Sequence, residues 1–424
     1  MNKTIVKPSK LRGFITPPGD KSISHRSAIF NAIADGTSHI TNYGTGADLQ
    51  STLRVLRSLG VDIKKTGDFI RVVGGNFHEP SNVLNTGNSG TTTRLMAGVL
   101  AGQNFLSVMN GDKSIRSRPM ARIVEPLRAM GANIEGREDG KLCPLIFKKS
   151  NLHGIKYDMP IASAQVKSAL LLAALYADSP TVIHQPALSR DHTELMFRAM
   201  GASIFEDGLS IEIKPGRLNA LDVKIPADIS SAAYWMVAAI CHNDAEVTIQ
   251  NVGINPTRTG IIDILKLMGA SLDINNVRTE GGEQVADITA RSSDLNSVII
   301  EGDLIPRLID EIPIIALAAC FAKGTTTIRN AEELRTKESD RITAMCRELT
   351  RLGASVNETD DGLVIFGGNH LTGGTHQSYG DHRVAMTLGV AGLVSIGKVI
   401  VQNSDTASIS YPAFWDDLEL LGVT

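Results

Sequence analysis

With 424 residues the chain is long enough for two or three domains and for cores that need no covalent staple. Its 42 Lys plus Arg against 45 Asp plus Glu leave a formal charge of -3, which argues against coating nucleic acid or an anionic membrane and requires any basic site to be local. Aromatics at 4% leave little for base stacking, Cys143, Cys241, Cys320 and Cys346 form neither a CxxC pair nor a regular framework, and the apolar runs 312–322 and 169–177 fall short of the ~18 residues of a membrane span.

In chain order, a first strand is expected before Thr16, and Pro17-Pro18-Gly19 marks a crossing, because proline resists both helix interior and central strand. A helix rich in Ala and other small residues starts near Lys21. An amphipathic helix follows, with Leu49, Leu53 and Leu56 at helical spacing, and ends at Leu59-Gly60-Val61. Small-residue helices start again near Gly90, Ser163, Ser230, Asp310 and Asp381. Amphipathic helices end again at Met130-Gly131-Ala132, Met200-Gly201-Ala202, Met268-Gly269-Ala270, Leu352-Gly353-Ala354 and Leu421-Gly422-Val423. These glycines, each expected to cap its helix in the left-handed conformation, are 71, 70, 68, 84 and 69 residues apart. β-Branched segments at 181–184, 247–252, 325–329 and 399–402 read as strands. The repeat predicts an α/β chain of six units, each with one buried and one half-exposed helix, gathered in two lobes of three. A second crossing at Lys224-Ile225-Pro226-Ala227 gives one lobe as 1–18 with 228–424, the N-terminal strand included, and the other as 19–227. Such a repeat also suits a binding scaffold without chemistry.

The buried helices start with unusual polarity: Gly19-Asp20-Lys21-Ser22-Ile23-Ser24-His25-Arg26, Gly87-Asn88-Ser89-Gly90-Thr91-Thr92-Thr93-Arg94 and Ser163-Ala164-Gln165-Val166-Lys167-Ser168. Singly, each reads as ordinary capping by Ser, Thr or Asn. Three in equivalent places of a repeat favour anion binding, where backbone N–H groups and the helix dipole meet phosphate or carboxylate and Lys, Arg and hydroxyls add donors. A P-loop is excluded because Asp20 separates Gly19 from Lys21. His192 and Glu194 form an H-x-E without the P-C-x-x-C of zinc deaminases, and there is no HExxH, so no metal is assigned. Asp310-Glu311 opens an apolar helix, where partial desolvation would raise a carboxylate's proton affinity toward that of a general base. Lys337-Glu338-Ser339-Asp340-Arg341 reads equally as a solvated, salt-laced face, and a lone His such as His382 is more often packed than catalytic. With charged residues but no apolar signal core in 1–10, and thiols suited to a reducing cytosol, the expected location is cytoplasmic.

Taken in order, Gly19-Asp20-Lys21-Ser22, Gly87-Asn88-Ser89-Gly90-Thr91, Arg118-Pro119-Met120, Ser163-Ala164-Gln165, Arg190-Asp191-His192-Thr193-Glu194, Asn255-Pro256-Thr257-Arg258, Lys337-Glu338-Ser339-Asp340-Arg341 and Asp381-His382-Arg383 resemble the EPSP synthase family of enolpyruvyl transferases along essentially the whole chain. The resemblance implies a two-lobed inside-out α/β barrel of six βαβαββ repeats, three per lobe, with the active site in the interlobe cleft. The implied reaction moves the enolpyruvyl group of phosphoenolpyruvate to the 5-hydroxyl of shikimate 3-phosphate and releases phosphate, with no cofactor. It also implies site residues: Lys21, Ser22, Arg26, Ser163, Ala164, Gln165, Arg190, Asp310 and Lys337 for shikimate 3-phosphate, and Lys21, Gly90, Arg118, Gln165, Arg341 and Arg383 for phosphoenolpyruvate. Asp310 corresponds to the base on the 5-hydroxyl, and Glu338 with Lys21 to the acid on the methylene carbon. The expected partners are the two small-molecule substrates, with no nucleic acid and no membrane, and the chain is expected to be a monomer.

Two features depart from or divide the family pattern. Ile409, three residues before Pro412, stands where many members carry lysine. Gly90 is the small residue of glyphosate-sensitive members, whereas the segments beginning at Arg190, Ser163 and Asn255 look like the subgroup often tolerant of that inhibitor. The related UDP-N-acetylglucosamine enolpyruvyl transferase has a reactive cysteine five residues before its Arg-Pro; here that position is Lys113. RNA 3'-phosphate cyclase shares parts of the repeat fold but would need a nucleotide-charging motif, which the sequence lacks. A catalytically silent protein binding phosphorylated ligands would have no use for Asp310 and Glu338.

Overall fold

Glycine closes the amphipathic helices where the chain turns sharply back into a strand. The structure, a computed structural model, describes residues 1–75, 77–280, 282–368 and 370–423. Gly60, Gly131, Gly201, Gly269 and Gly353 take φ between +86° and +94°, a region open to glycine at little steric cost. The residue after each glycine donates its N–H to the carbonyl five positions back, as in Val61 to Leu56 and Ala354 to Leu349. The sixth copy departs from expectation: Gly422 lies inside the helix Phe414–Val423, since no strand follows among the described residues and no reversal is needed.

Twelve helices carry the repeat: α1 Lys21–Ile33, α2 Ala47–Ser58, α3 Gly90–Ala101, α4 Ala121–Ala129, α5 Ala164–Ala174, α6 His192–Ala199, α7 Ile229–Cys241, α8 Gly260–Leu267, α9 Ile312–Phe321, α10 Arg341–Arg351, α11 His382–Val394 and α12 Phe414–Val423. The odd-numbered helices are buried almost all round; every residue of α11 is buried, and every residue of α7 except Cys241. Their small side chains allow close packing: a Cβ on Gly98 of α3 would lie 2.1 Å from the Ala169 carbonyl oxygen of α5. The even-numbered helices bury one face, as α10 does with Ile342, Met345 and Leu349.

Among the described residues, five of the six sheets join a parallel pair to a hairpin. In one, Leu84–Asn85 and Ser107–Asn110 run parallel because α3 crosses between them, and the hairpin of Asn133–Gly136 and Leu142–Lys148 lies antiparallel against the second strand. Lys156–Asp158, Thr181–His184, Ile204–Asp207 and Ser210–Ile213 repeat this order, as do Ile299–Ile300, Thr325–Ile328, Ser355–Thr359 and Gly362–Phe366. The other sheets borrow strands. Val223–Lys224 leads Thr37–Thr41 in parallel, and Leu11–Ile15 leads Ala245–Gly253. Asn2–Val6 pairs antiparallel with Ile396–Gln402, completing a three-stranded sheet with Thr372–Gln377. The N-terminal segment therefore holds two strands serving two sheets, where a single strand was expected.

The chain divides into two compact units, Gly19–Ile225 (the continuous unit) and Met1–Pro18 with Pro226–Thr424 (the split unit). Three sheets belong to each. Phe30 packs on Phe197 at 4.7 Å between ring centres in the core of the continuous unit; in that of the split unit, Trp235 stacks on Phe414 at 5.1 Å and donates to the Tyr411 hydroxyl at 3.1 Å. No described helix is long and apolar enough to cross a membrane.

Candidate active site

In the continuous unit the starts of α1, α3 and α5 are tied together by side chains. Asp20 caps α1 by accepting from Ile23 N–H at 2.8 Å, and Ser89 caps α3 by accepting from Thr92 N–H at 3.1 Å. His25 of α1 bonds Thr52 of α2 at 2.6 Å, and Thr52 bonds Thr92 of α3 at 2.7 Å. Burial, with the nearby cations Lys21 and Arg26, holds the His25 pKa well below its ordinary 6.5, so the ring is neutral. Gln165, in the first turn of α5, donates to Thr91 at 3.0 Å and accepts from Arg94 at 2.6 Å. Ser163 stands at the N-cap of α5 and Ala164 is its first residue.

Cations gather around these starts. Lys21 Nζ lies 3.1 Å from Asp48 in the first turn of α2. Arg190 reaches the Ser22 hydroxyl at 3.4 Å. Arg118 donates to Asn88 at 3.1 Å and to Ser114 at 3.3 Å, and a Cβ on Gly90 would meet Arg118 Nη1 and Arg94 Nη1 at 3.0 Å each. Arg26 is 2% exposed; it donates to Thr193 and Ser168 at 2.8 Å each and to the Ser22 carbonyl at 3.0 Å, which pins α1 to α5 and α6. That framework role, the place of Arg94 and the pairing of Asp48 with Lys21 were not read from the sequence. Arg94 has the signal of lying one helical turn beyond Gly90; Asp48 has none, because only the fold brings it to Lys21.

In the split unit, carboxylates and guanidinium groups interlock where α9, α10 and α11 begin. Arg341 opens α10 and is buried. It donates to Asp381 at 2.8 and 3.3 Å, to Glu338 at 2.7 Å and to Asp310 at 3.5 Å. Arg383 lies 3.8 Å from the other Asp310 oxygen. Asp381 caps α11 by accepting from Arg383 N–H at 2.8 Å and also accepts from Ser339 at 3.1 Å. Burial opposes its charge, yet Arg341 holds the Asp381 carboxyl below the usual 3.8. Burial likewise opposes the charge of Arg341 and Arg383, and the carboxylates around them raise both pKa values nonetheless. Tyr234, buried near both arginines, is pushed up to about 12.

Asp310 sits in the turn before α9 with its side chain 18% exposed between two guanidinium groups. Two cations thus stand beside a carboxyl group for which the apolar helix alone suggested desolvation. Lys337, on the loop before α10, pairs with Glu333 at 3.1 Å. Ile409 is half-buried at the end of the turn Ser404–Ile409.

This chain, with cations around polar helix starts in one unit and carboxylates interlocked with arginines in the other, has the fold of enolpyruvyl transferases. The enolpyruvyl transferase NikO from Streptomyces tendae, 19% identical, matches the fold with a TM-score of 0.82 over 99% of this chain and 97% of that one. The family model described as EPSP synthase (3-phosphoshikimate 1-carboxyvinyltransferase) matches residues 5–418. A 3-phosphoshikimate 1-carboxyvinyltransferase from Roseiflexus castenholzii is 51% identical, covering 99% of each chain. A solved EPSP synthase from Acinetobacter baumannii is 41% identical with a TM-score of 0.89, covering 100% of this chain and 99% of that one. The chain belongs to the EPSP synthase family, with its two-lobed inside-out α/β fold.

Proposed function

We propose that this chain transfers the enolpyruvyl group of phosphoenolpyruvate to the 5-hydroxyl of shikimate 3-phosphate, releasing phosphate. The observation that carries the reading is Asp310, held between Arg341 and Arg383 while Arg341 also holds Glu338. A base, an acid and two anion-binding groups are thereby joined in one network. In the continuous unit, Lys21, Ser22, Arg26, Ser163, Ala164, Gln165 and Arg190 serve shikimate 3-phosphate, joined by Lys337 and Asp310 of the split unit. Lys21, Gly90, Arg118 and Gln165, with Arg341 and Arg383, serve phosphoenolpyruvate. Both substrates carry a phosphate and a carboxylate, so arginines and helix N-termini offset the repulsion of bringing them together.

Asp310 takes the 5-hydroxyl proton as that oxygen attacks the carbon bearing the phosphate. Glu338, with Lys21, protonates the methylene carbon, and a tetrahedral ketal forms. Loss of a proton from the new methyl group and departure of phosphate then restore the enol ether. Positioning, electrostatic stabilisation and proton transfer suffice for both steps. The competing acceptor UDP-N-acetylglucosamine is disfavoured because Lys113 occupies the position of the thiol, while Cys143, Cys241, Cys320 and Cys346 all have pKa values raised by burial. The test is phosphate release from phosphoenolpyruvate with each acceptor. Turnover is expected with shikimate 3-phosphate alone; turnover with UDP-N-acetylglucosamine, or with neither, overturns the reading.

A further inference from the structure

Behind Asp310 lies a second buried ionic group that the reaction above does not use. Arg258, just before α8, is 2% exposed and donates to the Ser230 hydroxyl at 2.8 Å. The same nitrogen lies 3.5 Å from Asp228 and 3.7 Å from Glu311. Ser230 in turn donates to Glu311, and Asp228 caps α7 by accepting from Ser230 N–H at 2.8 Å. Glu311 is 1% exposed, immediately follows Asp310 and forms the N-cap of α9. Arg258 therefore ties the start of α7 to the start of α9, the turn that carries Asp310.

The charges matter more than the tie. Arg383 feels Asp310, Tyr234, Glu311 and Asp228 together. Glu311, which adjoins Asp310, and Asp228 thus add negative charge around Arg383, and Arg258 is the cation that lies against both. We propose that Arg258 is a positioning residue for Asp310: by neutralising Glu311 and Asp228 it leaves Arg383 to Asp310 and to the phosphoenolpyruvate anion. This rests on the reading of Asp310 as the base. The groups facing Asp310 are Arg341 of α10, Arg383 of α11 and the adjoining Glu311; Glu338 and Asp381 act on it through Arg341, with His382 beside Asp381, and Tyr234 of α7 acts through Arg383.

The experiment is the pH profile of kcat, read as phosphate release at saturating substrates, for the parent, Arg258→Met, Arg258→Lys, Glu311→Gln and the Arg258→Met/Glu311→Gln double variant. Removing the cation raises the proton affinity of Asp310, so the acid limb in Arg258→Met moves up by about half to one pH unit, with a higher KM for phosphoenolpyruvate. Glu311→Gln moves the limb down by about half a unit, the double variant returns it toward the parent, and Arg258→Lys keeps it in place. The substrate phosphates titrate identically in every variant, so displacement between variants is the readout. A limb that stays fixed while kcat falls overturns the proposal, because loss of packing alone has no reason to move it in opposite directions. Should Arg258→Met fail to fold by circular dichroism, Glu311→Gln against Arg258→Lys decides on the same criterion. Asp310→Asn run alongside separates the two failures: full turnover in that variant removes Asp310 as the base, whereas collapse of turnover with fixed limbs elsewhere removes only the role of Arg258.

Discussion

The two units hold their clusters of cations in place by different means. At the starts of α1, α3 and α5, Arg26, Arg94 and Arg118 donate to hydroxyl, amide and backbone oxygens. At the starts of α9, α10 and α11, Arg341 and Arg383 face Asp310, Glu338 and Asp381. Neutral partners orient a guanidinium without spending its charge, which suits binding. Carboxylate partners tie up charge but place proton acceptors and donors beside the bound anion, which suits chemistry. Substitutions of these arginines should therefore damage mainly binding in the continuous unit, and turnover together with stability in the split unit.

The largest expected effect follows from Asp310. Asp310→Asn keeps the shape and removes the acceptor, so kcat should fall by about a thousandfold or more while shikimate 3-phosphate binding, measured by calorimetry, changes only a few-fold. Loss of binding with preserved kcat would assign the carboxylate to the ligand rather than to the proton.

A matched pair of lysine substitutions tests the contrast directly. Arg341→Lys leaves the buried Asp381 with at most one of the bonds that Arg341 now gives it, so the variant should lose both turnover and about 2 kcal/mol of stability in urea. In Arg118→Lys the described partners that lose a bond, Asn88 and Ser114, are uncharged. Stability should change by less than about 1 kcal/mol while KM for phosphoenolpyruvate rises roughly tenfold or more. Equal stability losses in the two variants would erase the distinction between the two clusters.

Acid should act on the units in different windows. His25 of the continuous unit is held neutral, with its folded pKa well below 6.5, so its contribution is complete above 6.5 and declines as pH falls from there toward the folded value. The buried Glu194 of the same unit works in the opposite sense: burial raises its pKa against the pull of Lys167, so the contribution of its protonation is lost as pH rises through the folded value. In the split unit the lowered Asp381 and Glu348 contribute above 3.8 and 4.5 and fail only below those values. Amide protection in α1, corrected for the intrinsic exchange rate, should therefore begin to fall between about pH 6.5 and 5, before protection in α11 does, and His25→Gln should remove that early slope. An unchanged slope would mean that another group sets it.

Much of this was legible because the signals were local. A glycine after Leu or Met, repeated at a steady interval, marks five helix ends, and small residues mark the buried helices between them. The segment around Asp20, Lys21 and Ser22 announced a polar helix start. The ion pairs were not legible: Asp48 meets Lys21 across 27 positions and Arg258 meets Ser230 across 28, contacts that only packing creates. The surroundings of Asp310 were legible only in part for the same reason, since composition shows an apolar helix but not the two arginines brought beside its start. Gly422 misled because its local pattern matched the others while the strand that makes a cap necessary does not follow.

The smallest effect concerns Gly90, where the two kinds of cation environment can be separated by one methyl group. A Cβ there meets Arg118 and Arg94 at 3.0 Å, tighter than ordinary contact, but both contacts are with the mobile ends of long side chains. The backbone of α3 needs no rearrangement, and alanine favours the helix by up to about 1 kcal/mol, so Gly90→Ala should fold at least as well as the parent. The guanidinium groups must give way by a few tenths of an ångström, which should weaken the hold on phosphoenolpyruvate proposed for Arg118 without touching Asp310 or Glu338. A KM for phosphoenolpyruvate raised several-fold, with kcat within about twofold and shikimate 3-phosphate affinity unchanged, is the expected outcome in initial-rate kinetics. A fall in kcat of comparable size would show that the displaced guanidinium groups act on the transition state as well as on the bound anion.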